Sequence, residues 1–301
     1  MAANSVSRLA PDRVVTVPVA DMFSSPTEQA DVVSQAIIGS NVTTLDLRDD
    51  WARVRTDDGY AGWMCRGALR DLENLVPYAA SDPAVRIDSL FANVYREPNV
   101  RARKPILTIP FDSQLVVEIR EAAGEADWTP VLLPDQSEGW IRSDDGDRSL
   151  DPLTIAQTVE LAKRFVGLPY LWGGRSSFGF DCSGFTQMLV RRRGIIMPRD
   201  AILQAEWAGA IEVSQSDLIP GDLVFFGPSL ETINHTALYI GDGALIHSTV
   251  RNRPGVQIGL LEDPMTERNL VACRRILESL PSGTEPGARR RGRVEAGSSA
   301  P

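Results

Sequence analysis

The sequence predicts an α+β domain in its C-terminal part, preceded by two small β-barrels. Three observations carry this. A block of residues in the first half recurs at a fixed displacement of 77 positions: Asp50-Trp51-x-x-Val54 with Gly62-Trp63-Met64 returns as Asp127-Trp128-x-x-Val131 with Gly139-Trp140-Ile141. From about residue 150 onward, helical periodicity comes first and strand-type runs second, which is the order of an α+β domain. Between them, Cys182 stands where a glycine-rich loop gives way to a helical pattern. With 301 residues, 43% hydrophobic and 24% charged, the chain is long enough to bury a core in two or three domains.

Residues 1–13 read as a flexible terminus. Each repeat copy is then built of short β-type runs divided by polar turns: Val14 to Val19 and Val42 to Leu47 in the first, Ile106 to Ile109 and Leu115 to Ile119 in the second. The paired D-W-x-x-V and G-W segments resemble bacterial SH3-like domains, with boundaries at 14–76 and 85–148. That resemblance implies modules that bind cell-wall peptides or brace a catalytic domain. The second copy departs by a longer insertion, Glu121 to Ala126. The four tryptophans are expected in the barrel cores. Tyr60, on the turn before Gly62-Trp63, is either a surface tyrosine or a hydroxyl presented to a neighbouring domain.

The third domain spans 150–280. Thr154-x-x-Gln157 forms a capping box for a helix whose apolar residues Ile155, Val159, Ala162 and Val166 share one face, ended by Gly167. A second helix follows from Cys182 to Gly194, and a third runs from Asp200, as its N-cap, to Gly209. Leu223 to Phe226, Thr236 to Ile240, Ala244 to His247 and Leu270 to Ile276 read as strands, with Gly241-Asp242-Gly243 as a tight hairpin turn. Residues 281–301, including Arg289, Arg290, Arg291 and Arg293, lack an apolar face and read as a disordered tail.

The chemistry is concentrated in this domain. A cysteine at a helix N-terminus meets unpaired N–H groups and the positive end of the helix dipole, which favour the thiolate. A cysteine nucleophile also needs a base and a group that fixes the base's tautomer. The chain has two histidines, His235 and His247, both in the strand-rich half of the same domain. Paired as a hairpin, their strands bring the two imidazoles to one end, with His235 as base and His247 as its orienter. A zinc site from the same three residues fits poorly, since zinc normally takes four protein ligands or a tighter local pair. No cofactor is called for. Asp181, beside the cysteine, poses a puzzle, because a carboxylate there disfavours the thiolate. Pointed away from the thiol, it would instead receive a cationic amine of the substrate, shared with Asp200.

Pro169-Tyr170-x-Trp172-Gly173-Gly174, Asp181-Cys182-Ser183-Gly184-Phe185, Pro198-Arg199, Pro220-Gly221-Asp222-Leu223-Val224-Phe225-Phe226, and His235 with His247 twelve residues on resemble the NlpC-type cysteine peptidases of cell-wall metabolism. The resemblance covers residues 150–278 and implies a papain-like α+β fold. It gives Cys182 the attack, His235 the proton transfers and His247 the third place. Tyr170 joins the Cys182 backbone N–H in holding the oxyanion. His235 is followed by Thr236-Ala237 where many relatives carry valine and glycine. With tandem SH3-like domains the chain resembles cytoplasmic peptidases that release L-alanyl-γ-D-glutamate from murein peptides by cutting before a diamino acid. That likeness places Tyr60 and Asp31 in a wall that closes the cleft, and Asp181, Ser183 and Asp200 at the amine site. A secreted endopeptidase anchored to intact peptidoglycan, and a non-enzymatic wall-peptide binding protein, are the alternatives.

Composition narrows the remaining choices. A net charge of −9 argues against nucleic acid as the main partner, because phosphate binding needs a basic stripe. Cys65, Cys182 and Cys273 are widely spaced and show no C-x-x-C pair, which fits a reducing compartment, and Cys65 and Cys273 are expected in the core. Arg8, Asp12 and Arg13 interrupt the start before any apolar run, so a signal peptide is not expected, nor is a membrane span. The expected location is the cytoplasm. Oligomeric state is not legible.

Overall fold

The computed structural model describes residues 10–80, 83–118, 127–262 and 269–278. The Glu121 to Ala126 insertion and the Arg-containing tail lie outside the described residues.

The first barrel is a seven-stranded antiparallel sheet wrapped on Val15, Met22, Val42, Val54 and Met64. The second combines a five-stranded sheet with the hairpin Phe91–Val94/Leu107–Pro110 around Ile87, Val94, Ile109, Leu115 and Ile141. The repeat seen in sequence is a repeat of strand register. Trp51 faces Cys65 and Val54 faces Gly62 in the first barrel, as Trp128 faces Arg142 and Val131 faces Gly139 in the second. The tryptophans divide by position. Trp63 and Trp140 are buried, while Trp51 and Trp128 are half-buried and stand edge-on to Phe23 and Tyr95 at centroid distances of 5.4 and 5.5 Å.

Two expectations for the barrels are corrected. The run Val14 to Val19 is not one strand but two, Arg13–Val15 and Val19–Phe23. Pro18, which has no N–H to give a ladder, divides them. Cys65 is exposed rather than a core residue, since alternation at the end of Ala61–Cys65 turns its side chain outward, whereas Cys273 is buried.

The third domain opens with α1 (Ile155–Arg164), held by the Thr154/Gln157 capping box. Next come α2 (Cys182–Arg191) and α3 (Ala201–Glu206). A six-stranded antiparallel sheet follows, in the order 210–212, 270–276, 223–226, 235–241, 244–249, 255–260. The turn between the fourth and fifth of these strands places Gly241, Asp242 and Gly243 at positive φ, the backbone conformation its residues favour. Eight of the ten residues of α2 are buried. A helix buried on nearly all sides is a core element, and α2 packs against the strands 235–241 and 244–249. Phe165, Phe180 and Phe185 meet in edge-to-face contacts of 5.5–6.1 Å at its foot. Phe111 of the second barrel joins them, 5.1 Å from Phe165 and 2% exposed.

Candidate active site

Local sequence positions Cys182. Asp181 takes the N-cap of α2, where its Oδ1 accepts from the Gly184 N–H at 2.7 Å, so Cys182 is the first helical residue. Gly184 has to be a glycine, because a Cβ there would lie 2.2 Å from the Gly174 carbonyl oxygen. The loop and the helix start are thus in backbone contact. The Cys182 sulfur accepts from the backbone N–H groups of Thr236 and Ser183, which seats it against the residue next to His235.

His235 is 4% exposed and its Nε2 lies 2.8 Å from His247 Nδ1. The strands 235–241 and 244–249 pair as the hairpin expected from the sequence and carry the two rings to the same end. With the Nε2–H of His235 donated to His247, the basic lone pair of His235 is on Nδ1. Tyr170 is half-buried on the loop that bridges to Phe180, two residues before the nucleophile. The N–H of Cys182, in the first turn of α2, has no intrahelical acceptor.

The surroundings of the thiol favour its protonated form. Burial first, and then the charge of Asp181, push it up to about 11, while the N–H groups of Thr236 and Ser183 and the charge of Arg199 pull the other way. Burial thus works against the thiolate that the helix terminus favours, and the proton has to leave to a base, as the sequence requires.

The reading of Asp181 as an acceptor for a substrate amine is also corrected. Its carboxylate is buried and fully engaged, accepting from Gly184 N, Gly173 N at 3.0 Å, and the guanidinium of Arg199 at 2.6 and 3.0 Å. Ser183 is tied into the same cluster, accepting from Arg199 at 2.8 Å. In the sequence Arg199 stands out only as part of the Pro198-Arg199 motif. It is 2% exposed and reaches into the first barrel as well, donating Nε–H to the Ser34 hydroxyl at 3.2 Å. Nothing in a single sequence marks an arginine as buried, and its one signal was its place directly after Pro198.

Asp200 sits at the N-cap position of α3 but makes no capping bond with its side chain. It accepts from the Tyr60 hydroxyl of the first barrel instead. Burial, then the Asp200 charge, lifts the Tyr60 phenol to about 12, and burial raises the Asp200 carboxyl. Asp31 is exposed at the edge of the same barrel. Its neighbour Val32 presses on the glycine loop so closely that a Cβ on Gly173, at φ +73°, would lie 2.8 Å from the Val32 carbonyl oxygen. The structure therefore brings Cys182, His235 and His247 into one cluster. Tyr60 and Asp200 form a second beside it, and Asp181 and Ser183 join Arg199 underneath. Among the described residues no group of three or more His, Cys, Asp or Glu is placed to hold a metal ion.

A cysteine at the start of a buried helix, facing paired histidines on an antiparallel sheet, is the arrangement of a cysteine-type peptidase. Residues 167–275 match the NlpC/P60 family, and residues 22–69 match the bacterial dipeptidyl-peptidase SH3 domain. The chain is 38% identical over 255 residues to a gamma-D-glutamyl-L-lysine dipeptidyl-peptidase of Bacillus subtilis, covering 81% of each. It is 32% identical over 259 residues to a protein of the same name from Bacillus cereus, covering 81% of this chain and 75% of that one. A crystal structure of an NlpC/P60 family protein from Bacillus cereus superposes with a TM-score of 0.75 at 27% identity, over 88% of this chain and 99% of the other. The chain belongs to the NlpC/P60 family, and it is a cysteine-type peptidase carrying an N-terminal SH3 domain.

Proposed function

We propose that this peptidase hydrolyses the bond between γ-D-glutamate and a diamino acid in murein peptides with a free N-terminal L-alanine, and that it serves recycling of wall peptides in the cytoplasm. The observation that carries the reading is the Tyr60–Asp200 pair. A carboxylate of the catalytic domain and a phenol of the first barrel meet beside the cysteine cluster. A half-buried carboxylate held there favours an ammonium group, so in this reading the pair selects a free N-terminus. The name shared by the relatives in both Bacillus species supports the bond assigned.

In this reading His235 Nδ1 takes the Cys182 proton as the sulfur attacks the γ-carbonyl. Tyr170 and the Cys182 N–H hold the oxyanion, each donor contributing about 3 kcal/mol. The imidazolium, steadied by His247, then protonates the leaving amine, and the same ring activates the water that frees the acyl-enzyme. A thiol held near 11 makes the histidine pair indispensable, because little thiolate exists without it. Asp31 lines the outer rim of the wall. Asp181 and Ser183 act beneath the substrate by fixing Arg199 and the helix start. The test is turnover of free L-Ala-γ-D-Glu-diaminopimelate against its N-acetylated form. Comparable rates on the two would sink the assignment.

A further inference from the structure

A second site lies away from the cysteine, where all three domains meet. A cavity of about 360 Å³ is enclosed there by the first barrel, the segment Pro77–Ala79, the second barrel and the hairpin 175–180. Its volume is that of a small-molecule site. Three guanidiniums, Arg86, Arg175 and Arg191, line it against two carboxylates, Asp57 and Asp112.

The pairing inside it is uneven. Arg191 donates to Asp57 in a two-pronged ion pair. Asp112 is divided among Arg86 at 3.5 Å, Arg192 at 3.6 Å and Arg191 at 3.8 Å, and it accepts a hydrogen bond from none of them. Arg192, 2% exposed and just behind the wall, leaves its Nε and Nη1 without hydrogen-bond partners. Arg175 stands 3.3 Å from Asp58 without a hydrogen bond from its guanidinium. Buried guanidinium donors left unmade are costly, and their planar forks match oxyanions. The mutual repulsion shows in Arg86 and Arg175, where burial first, and neighbouring arginines after it, lower the hold on the proton.

We propose that this three-domain cavity is a binding site for a small oxyanion, a phosphate or carboxylate group, that accepts hydrogen bonds from Arg175 and Arg86 and completes the charge balance of the junction. Occupancy bears on the cysteine site through the chain itself. Arg175 pairs with Phe180 in the hairpin that runs directly into Asp181 and Cys182. The anion also joins the barrels to the catalytic domain, so binding adds to the stability of the assembly.

The test is calorimetric titration of the full chain with inorganic phosphate at constant ionic strength. Sodium chloride is the blank and sodium acetate a second arm that separates phosphate from carboxylate. The same titration is run on Cys182→Ala, so the result stands apart from the peptidase reading. Saturable binding of about one phosphate or acetate per chain is expected, unchanged in Cys182→Ala, and weakened about tenfold or more in Arg175→Gln or Arg86→Gln. Arg86 is the more exposed of the two, which keeps the test valid if Arg175→Gln does not fold. Heats indistinguishable from the chloride blank with both anions, or unaltered binding in both arginine variants, overturn the proposal.

Discussion

The two barrels share a fold and a strand register, and they differ in whether they enter the apolar core of the catalytic domain. The second barrel inserts an aromatic ring, Phe111, into the catalytic core, and Ser177 donates to its Leu90 carbonyl beside it. The first barrel contributes no buried residue to that core among the described residues. It docks instead through polar contacts: Ser34 to Arg199, Gln35 to the Arg175 N–H, Asp58 to Gln187 at 2.8 Å, and Tyr60 to Asp200. Apolar burial is strong and indifferent to orientation, whereas buried hydrogen bonds weaken sharply when geometry slips. One copy of the repeat is thus a brace. The other is held to the catalytic domain by hydrogen bonds that fix its orientation.

This contrast can be broken by mutation. Cys182→Ala removes the nucleophile and brings hydrolysis to background, with both barrels still docked; residual turnover measured by product release contradicts the assigned chemistry. Arg199→Met and Phe111→Ala separate the two kinds of joint. Removing one partner of the buried Arg199–Asp181 pair costs about 3–5 kcal/mol, and truncating the Phe111 ring costs a similar 3–5 kcal/mol. Denaturant melts give both losses. Only Arg199→Met also changes kcat among molecules still folded, because it frees the cap of α2.

Asp181→Asn sharpens the same point. Asparagine can still cap the helix, yet the charge that raises the thiol is gone and Arg199 is left unpaired. Alkylation of Cys182 by iodoacetamide is expected to set in at lower pH than in the wild type, where it continues to rise toward about 11. An unchanged profile contradicts the electrostatic account. Tyr60→Phe is smaller. Removing one hydrogen bond to a carboxylate raises KM for a free-amine peptide about tenfold and leaves the melting temperature within a few degrees.

The smallest effect is one of pH. Burial would raise the Asp57 carboxyl, but Arg191, and after it Arg175, outweigh burial and hold it at about 2 instead of 3.8. A carboxyl depressed on folding contributes stability in full above its unfolded value and loses it as pH falls through the folded one. The advantage of the wild type over Asp57→Asn in thermal melts therefore narrows from about pH 4 downward.

Much of the fold was legible. The 77-residue displacement announced two barrels of equal register, and the strands 223–226 and 270–276 fall where β-type runs were read. The pairing of His235 with His247 followed from a three-residue turn whose conformation glycine permits. What escaped was charge in depth. Asp181 looks like a free carboxylate in sequence because its partner lies 18 residues away across a loop. Arg199 looks like a surface cation until the fold surrounds it. The thiol was read from its helix terminus, while its proton affinity is set first by burial, which only the packed structure defines.

The first barrel's place in recognition is tested most directly by mass spectrometry of reactions with free L-Ala-γ-D-Glu-diaminopimelate, its N-acetylated analogue and intact sacculi, in the wild type and in Tyr60→Phe. Diaminopimelate released from the free peptide alone, at a rate that Tyr60→Phe lowers under subsaturating substrate, is the predicted result. Equal cleavage of the acetylated peptide or of sacculi by the wild type would contradict it.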